Sequence, residues 1–553
     1  MKKTSFAEII LTVCLFCIGT FHEYLSCIAA TAMLVWFIYK VIRNKKLYFS
    51  LNLTSVAVLC ITLFYGLTAF WAVDGGMAVI GFMKFLPVPL YLLVLMQTED
   101  TEDIIKRLPF TAAVMTVISA IGMQIPIFEG FFSVSGRLAG FFQYSNTFAL
   151  FALIAELTAL SKGKLKALDF AVIAVLIFGI LYSGSRTVFV LSVISNLVLI
   201  FTVKNRRVKL TIGAIFGAFA VGIVIYAAIS GGAGVFGRFL RFSLNESTFV
   251  GRLLYFKDAL PLILTHPFGL GYMGYYYMQQ SIQTGIYSVM FIHNDFLQLM
   301  LDVGWIPALL FAGAIIKSVF GGKKPLYKRV ILAVTALHCC FDFDLQFIAI
   351  FMLLLLFIDY SDGKEFCIEN IEAVGGISFL ISAVCIYFGI SLTFFNFGNY
   401  EAAFSMYPLD TRVQTQLLIS ETDSNKAKEI ADDIISRNEY VTVAYSLKAK
   451  TYYSEGDFSN VIKYKKMIFD KAPFAYEEYK EYCYMLITGI SLYNEAGDTS
   501  SAKICLNQLK SAADSVHTLK DKLSPLGAKI KDQPKTELPD DIEDYLKSAA
   551  ISR

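Results

Sequence analysis

Between Met1 and Tyr400 the chain supplies, again and again, apolar stretches of about 20 residues, the length an α-helix needs to cross a bilayer. With 56% hydrophobic residues, 17% charged residues and 48 Phe in 553 positions, it is too apolar for a soluble protein. These features predict an all-α fold: a polytopic helical membrane protein with about 12-13 transmembrane helices, followed by an α-helical repeat domain. Spans are expected near residues 5–21, 24–42, 52–72, 76–97, 108–128, 139–160, 167–182, 186–203, 209–230, 296–319, 329–341, 344–360 and 375–397.

Positive charge falls on alternate loops: Lys2 and Lys3; Arg43, Lys45 and Lys46; Lys106 and Arg107; Lys162, Lys164 and Lys166; Lys204, Arg206, Arg207 and Lys209; Lys323, Lys324, Lys328 and Arg329. Those loops are expected in the cytoplasm. The loops around His22, Asp74, Glu129, Ser183 and Phe341 are poor in Lys and Arg, so they and the long segment 231–295 face outward. Thirteen crossings, an odd number, put the C-terminal domain outside a bacterial plasma membrane as well. The net charge of +3 gives no basic patch for nucleic acid.

Three domains follow from composition. Residues 1–398 form the transmembrane domain, including the outward segment 231–295. Charged, helix-favouring sequence begins at residue 399. Ala449, Tyr452, Gly456-Asp457 and Pro473 keep the spacing of a tetratricopeptide-type helical hairpin, and Leu486, Tyr493, Gly497-Asp498, Ala502 and Leu509 repeat most of it. Residues 399–523 are therefore expected to be a tetratricopeptide-like helical domain able to meet a protein partner, and 524–553 a polar, partly ordered tail. The ten cysteines show no CxxC pair and no Cys/His ligand spacing, so no metal is expected. Cys483 and Cys505 are candidates for a disulfide if their compartment is oxidising.

Arginine near a bilayer is costly unless paired, solvated or used. Arg137 lies in SVSGRLAGFFQYSN, Arg186 in YSGSRTVF and Arg252 after Gly251, with Arg238 and Arg241 upstream; all are expected on the outer side, against the usual gradient. Guanidinium forks match phosphate oxygens in pairs and stay charged, so converging arginines suit a pyrophosphate. The alternative is an interfacial arginine that snorkels or pairs with Glu246 or Asp258. His293 precedes Asn294, Asp295 and a helix; a neutral imidazole there can accept a proton from a sugar hydroxyl, and Asn294 or Asp295 can cap the helix. His338 with Asp342 and Asp344 marks a short outward turn that either supports the site or is a plain polar bend. Tyr275, in a run of three tyrosines, is a candidate to stack on sugar, or else part of an interfacial aromatic belt. Lys84, Glu156 and Asp302 fall within apolar runs, as internal pairs or as substrate lining.

Taken together, Gly251-Arg252, Pro267-Phe268-Gly269-Leu270-Gly271-Tyr272, His293-Asn294-Asp295-Phe296-Leu297-Gln298 and Gly304 resemble the signature of the O-antigen ligase and O-antigen polymerase superfamily. Gly136-Arg137-Leu138 with Gly140 and Asn146, and Ser185-Arg186, resemble its two upstream motifs, so the likeness covers roughly residues 50–400. It implies a metal-independent, inverting glycosyltransferase that needs no cofactor and uses glycan carried on undecaprenyl pyrophosphate, with a glycan, lipid or protein acceptor. Carried over by position, Arg186 and Arg252 would hold the pyrophosphate and His293 would activate the acceptor; Arg137, Asn294 and Tyr275 complete the substrate-binding set, with His338 and Asp342 in support. A polysaccharide or lipid-linked-glycan transporter (flippase) is the alternative; it would concentrate ionisable residues at mid-membrane and show repeated halves. A third reading, a membrane anchor for the repeat domain, leaves the outward arginines without a purpose.

Overall fold

The structure is a computed structural model. It describes residues 4–44, 46–162, 164–202, 247–322, 324–360, 362–369 and 371–551, with fragments at 209–210, 213–214, 217 and 221–222. Lys2, Lys3, Lys45, Lys204, Arg206, Arg207, Arg238, Arg241, Glu246, Lys323 and most of the span expected at 209–230 lie outside the described residues.

In chain order the helices are α1 (Phe6–Phe16), α2 (Glu23–Asn44), α3 (Leu53–Leu67), α4 (Gly75–Phe85), α5 (Pro87–Met96), α6 (Thr101–Gly122), α7 (Pro126–Phe132), α8 (Ser145–Leu160), α9 (Ala167–Ser183), α10 (Arg186–Thr202), α11 (Ser247–Thr265), α12 (Gly274–Ile282) and α13 (Asp295–Val303). There follow α14 (Trp305–Phe320), α15 (Leu326–Cys339), α16 (Ile348–Leu355), α17 (Ile371–Asn396), α18 (Tyr400–Met406), α19 (Thr411–Ser420), α20 (Ser424–Arg437), α21 (Thr442–Ser454), α22 (Phe458–Lys471), α23 (Tyr476–Glu495), α24 (Thr499–His517) and α25 (Asp540–Ile551). Strands among the described residues make two antiparallel ribbons: β1 (Leu47–Leu51) with β4 (Lys364–Ile368), and β2 (Ser133–Val134) with β3 (Arg137–Leu138).

The protein is an all-α polytopic membrane protein. Among the described residues, Glu23–Arg43, Leu53–Phe70, Gly75–Met96, Thr101–Gly122 and Glu372–Asn396 are long and apolar enough to cross a bilayer, and Phe6–Phe16, Ser145–Leu160, Ala167–Ser183, Arg186–Leu199 and Trp305–Phe320 are shorter apolar helices. Several expected spans differ in detail, among them 296–319, which breaks at Gly304 (φ 86°) between α13 and α14. The stretch 76–97 is divided at Pro87, which has no N–H to continue the ladder and opens α5. The stretch 344–360 is a 3₁₀ turn (Asp344–Gln346) followed by α16, only eight residues long and buried throughout. A helix that short lies inside the protein rather than across lipid.

The chain forms two compact units. The first comprises described residues of 1–67, 80–243 and 293–392, and the second those of 68–79, 244–292 and 393–553. The second unit thus groups residues 68–79 and the central segment with the helices after residue 393. In the first unit the β1–β4 ribbon runs from Leu47↔Ile368 to Leu51↔Lys364, and the Gln97 amide pairs with both backbone groups of Tyr48, accepting at 2.9 Å and donating at 2.6 Å. In the second unit Val73 N–H donates to Leu270 O at 3.0 Å, the Tyr407 hydroxyl to Gly76 O at 3.0 Å and the Asn438 amide to the Asp74 carboxylate at 3.0 Å.

The hairpins α21–α22 and α23–α24 turn in the same way. Gly456 and Gly497 both have φ 75°, where a side chain would be strained, and the next residue caps the second helix: Asp457 accepts from Asn460 N–H and Asp498 from Ser501 N–H, each at 3.0 Å. Their apolar faces share a core with Leu538 and Ile542, so the polar tail is ordered at its end as helix α25. Cys483 and Cys505 are free thiols buried in this core.

Candidate functional site

The site in the first unit is built outward from Arg137. Ser135 and Gly136, at φ 53° and 71°, make the two-residue turn between β2 and β3, and the ribbon presents Arg137 opposite Val134. Positive φ at both central positions suits the right-handed twist of so tight a hairpin. The Arg137 fork then binds two places: Nε donates to Ser183 O at 2.7 Å and Nη2 to Asn146 Oδ1 at 2.7 Å. Ser183 ends α9 and Asn146 lies in the first turn of α8, so one guanidinium ties the ribbon to two helix ends.

Asn146 passes the connection on. Its Nδ2 donates to Asp342 Oδ2 at 2.7 Å, while Asp342 Oδ1 accepts from the Tyr144 hydroxyl at 2.7 Å and the Phe343 amide at 3.1 Å. His293 Nδ1 lies 3.3 Å from the same Oδ1. Asp342 is only 1% exposed, and a carboxylate so placed persists because hydrogen bonds replace its lost water. His293 keeps 20% exposure. An ionised carboxylate only accepts, so facing one Nδ1 is the donor. His293 has φ 58°, a left-handed conformation costing on the order of 1–3 kcal/mol for a residue other than glycine. Its ring stands edge-on to Phe343, centroids 4.9 Å apart, and Asn294 immediately caps α13 through Leu297 N–H at 3.0 Å.

A second polar group lies beneath. Buried His338 Nδ1 is 2.5 Å from Asp344 Oδ2, Thr147 donates to Asp344 Oδ1 at 2.7 Å, and Asp295 accepts the Leu345 amide at 3.0 Å. Asp295, Cys339 and Asp344 bring metal-ligand-type atoms within 4.8 Å of one another. Both Asp344 oxygens and one Asp295 oxygen also lie within hydrogen-bond distance of protein groups.

Residues 171–312 match the family model described as O-antigen ligase. No curated protein matches the chain. The match covers about a quarter of the sequence and supports the O-antigen ligase superfamily, and with it, in general, a membrane-bound glycan ligase or polymerase. With the apolar helices it points to a bacterial membrane protein. The O-antigen ligase match contains Arg186, Arg252, Tyr275, His293 and Asn294 but not Arg137, His338 or Asp342.

The residues expected at the site thus fall into groups. Arg137, His293 and Asp342 share one hydrogen-bonded chain through Asn146. Arg186 opens α10 directly after the Gly184-Ser185 break, three residues from the carbonyl that holds Arg137. Arg252, half-buried on α11, and Tyr275 belong to the second unit. Two expectations need correction. Tyr275 is fully buried, so its ring has no face to offer a sugar. Asn294 uses Oδ1 as the α13 cap and Nδ2 to donate to Cys340 O at 2.9 Å, which makes it a structural residue. Lys84, Glu156 and Asp302 are buried with internal partners: Gln346 at 3.4 Å, Asn196 at 3.2 Å and Tyr65 at 2.9 Å respectively. Tyr144 escaped the sequence reading; its place two residues before Asn146 was the available sign.

Proposed function

We propose that this protein is an integral-membrane glycosyltransferase that transfers or polymerises glycan from an undecaprenyl-pyrophosphate donor at the outer face of the plasma membrane, in surface polysaccharide assembly. The observation that carries this reading is the His293–Asp342 pair: a half-buried imidazole whose Nδ1 is engaged by a buried, fully hydrogen-bonded carboxylate. Nε2 takes the proton of an acceptor hydroxyl as its oxygen attacks the anomeric carbon. The bond from that carbon to the pyrophosphate oxygen breaks, and the pyrophosphate leaves with the electron pair. One displacement inverts the anomeric centre. The family resemblance assigns Arg186 and Arg252 to the diphosphate, whose growing charge a guanidinium offsets without a metal. Asp342 stabilises the imidazolium that forms, and Arg137 fixes Asp342 through Asn146.

Residues 399–523 are read as a tetratricopeptide-like module, supported by the matching Gly-Asp turns, that meets a protein partner outside the membrane. The decisive experiment is turnover of an undecaprenyl-pyrophosphate-linked glycan by purified protein and its folded His293→Ala variant. Loss of at least about 100-fold is expected, and wild-type turnover in the variant would sink the assignment.

A further inference from the structure

Helix α11, which carries Arg252, is held along one face. Ser247, Val250, Leu254 and Asp258 recur every three or four residues and so line a single stripe over about three turns. Each is engaged by the segment that follows the repeat helices or by a loop that this segment grips. Lys531 N–H donates to Ser247 Oγ at 2.7 Å. Ile530 packs in one apolar cluster with Val250, Leu254 and Tyr287. Asp258 accepts from Thr284 N–H at 2.8 Å, from the Thr284 hydroxyl at 2.7 Å and from the Tyr287 hydroxyl at 3.1 Å. Thr284 is in turn fixed by the chain end, its carbonyl accepting Ser524 N–H at 2.9 Å and its hydroxyl 2.9 Å from that of Ser524.

The two backbones meet at a pair of glycines. A Cβ on Gly527 would lie 2.1 Å from Thr284 O, and one on Gly285 would lie 2.8 Å from the Gly527 Cα. Neither contact leaves room for any side chain. The far end of the segment is anchored on the repeat hairpins, where Leu538 and Ile542 enter the core and the Tyr476 hydroxyl donates to Glu537 O at 2.9 Å. Burial raises the Tyr255 phenol, Arg252 lowers it and Asp532, just beyond residue 531, raises it, so both charges lie within electrostatic range of that hydroxyl.

We infer that residues 524–531 are a positioning strap for Arg252: through Thr284 and Asp258 they fix the rotation and height of α11, and so the place at which the guanidinium meets a pyrophosphate. The inference rests on reading Arg252 as a donor-binding residue. A polar tail that only solubilised the chain would need neither the glycine pair nor four anchors on one helix face. Misplacing a binding group by about 1 Å costs on the order of 100-fold in a well-ordered site, so a strap of this kind is worth its length.

The test is a double-mutant cycle on the full chain in nanodiscs, reading the Kd for undecaprenyl pyrophosphate itself. Arg252→Ala should weaken binding at least tenfold. Gly527→Val and Thr284→Val should each do so by about threefold to tenfold, and Thr284→Ser, which keeps the hydroxyl, should restore it. In the Arg252→Ala background the strap variants should add less than twofold, because the residue they position is gone. Full additivity, or strap variants that bind like wild type while Arg252→Ala does not, overturns the strap and leaves the reading of Arg252 standing. Unchanged binding by Arg252→Ala overturns both. Should Gly527→Val fail to fold, the Thr284→Val and Thr284→Ser pair decides alone.

Discussion

His293 Nδ1 meets Asp342 at an oxygen that the Tyr144 hydroxyl and the Phe343 amide also address, at 3.3, 2.7 and 3.1 Å respectively. The carboxylate therefore has no freedom to turn away, and it holds the imidazole it faces by one edge. Its second oxygen is occupied by Asn146, which hands the restraint on to Arg137.

Asp342→Asn should lower kcat by roughly 100-fold to 10,000-fold with a much smaller change in the donor KM, because the amide neither stabilises the imidazolium nor enforces the tautomer. Residues that act as one unit are not additive. The double variant Asp342→Asn with His293→Ala should consequently be no slower than His293→Ala alone. Steady-state assays on the three proteins check this, and multiplicative losses would separate the two roles.

Arg137→Lys should behave as a disruptive change. A single ammonium cannot reproduce the fork that spans the Ser183 carbonyl and Asn146. Asn146→Ala breaks the same path from the other side, leaving a buried carboxylate oxygen short of a donor at a cost of about 1–3 kcal/mol. Both variants should show a lower thermal midpoint in detergent together with reduced turnover; a full-activity Arg137→Lys protein would contradict the described fork.

Gly140→Ala should destabilise the first unit by about 1–3 kcal/mol. Its φ is +62°, and a Cβ would lie 2.3 Å from the Phe148 ring, itself buried. Gly136 has φ +71° but open space around it. Gly136→Asn should therefore be tolerated, since Asn accepts the left-handed conformation in turns. Thermal unfolding of the two variants gives the comparison directly.

Lys324 should titrate out of the ordinary lysine range. Burial pushes its ammonium down to about 8, with Asp359 pulling the other way, while Nζ donates to Phe357 O at 2.7 Å. A depressed folded pKa means the fold disfavours the charged form: the penalty is present below pH 8 and relieved as pH rises from there toward the unfolded value near 10.4. Competitive acylation followed by mass spectrometry should give Lys324 a midpoint near pH 8, with exposed lysines about two units higher.

Much of this was legible in the sequence, for physical reasons that can be named. Apolar runs of bilayer length announce helices, and the Gly-Asp pairs at 456–457 and 497–498 announce the turns between them. Ribbon β2–β3 gave no periodic signal, because two residues per strand are too few to alternate. The pairing of His293 with Asp342, 49 positions apart, depends on where α13 and α15 end in space. A run such as Tyr275-Tyr276-Tyr277 has the same composition at an interface and in a core, so the burial of Tyr275 is not legible in the sequence. In the tail Ile542, Tyr545 and Leu546 do recur at helical spacing, whereas Leu526, Ile530 and Leu538 before them are separated by polar residues and form no pattern.

Ribbon β1–β4 has a consequence for how the protein is made. Leu47–Leu51 finds its partner only after more than three hundred further residues have been added, at Lys364–Ile368. At about 5–20 residues per second, the early strand waits roughly 15–60 s with its edge unpaired. The Gln97 amide occupies both backbone groups of Tyr48 in the finished molecule, so its bonds add to those of the ribbon instead of replacing them.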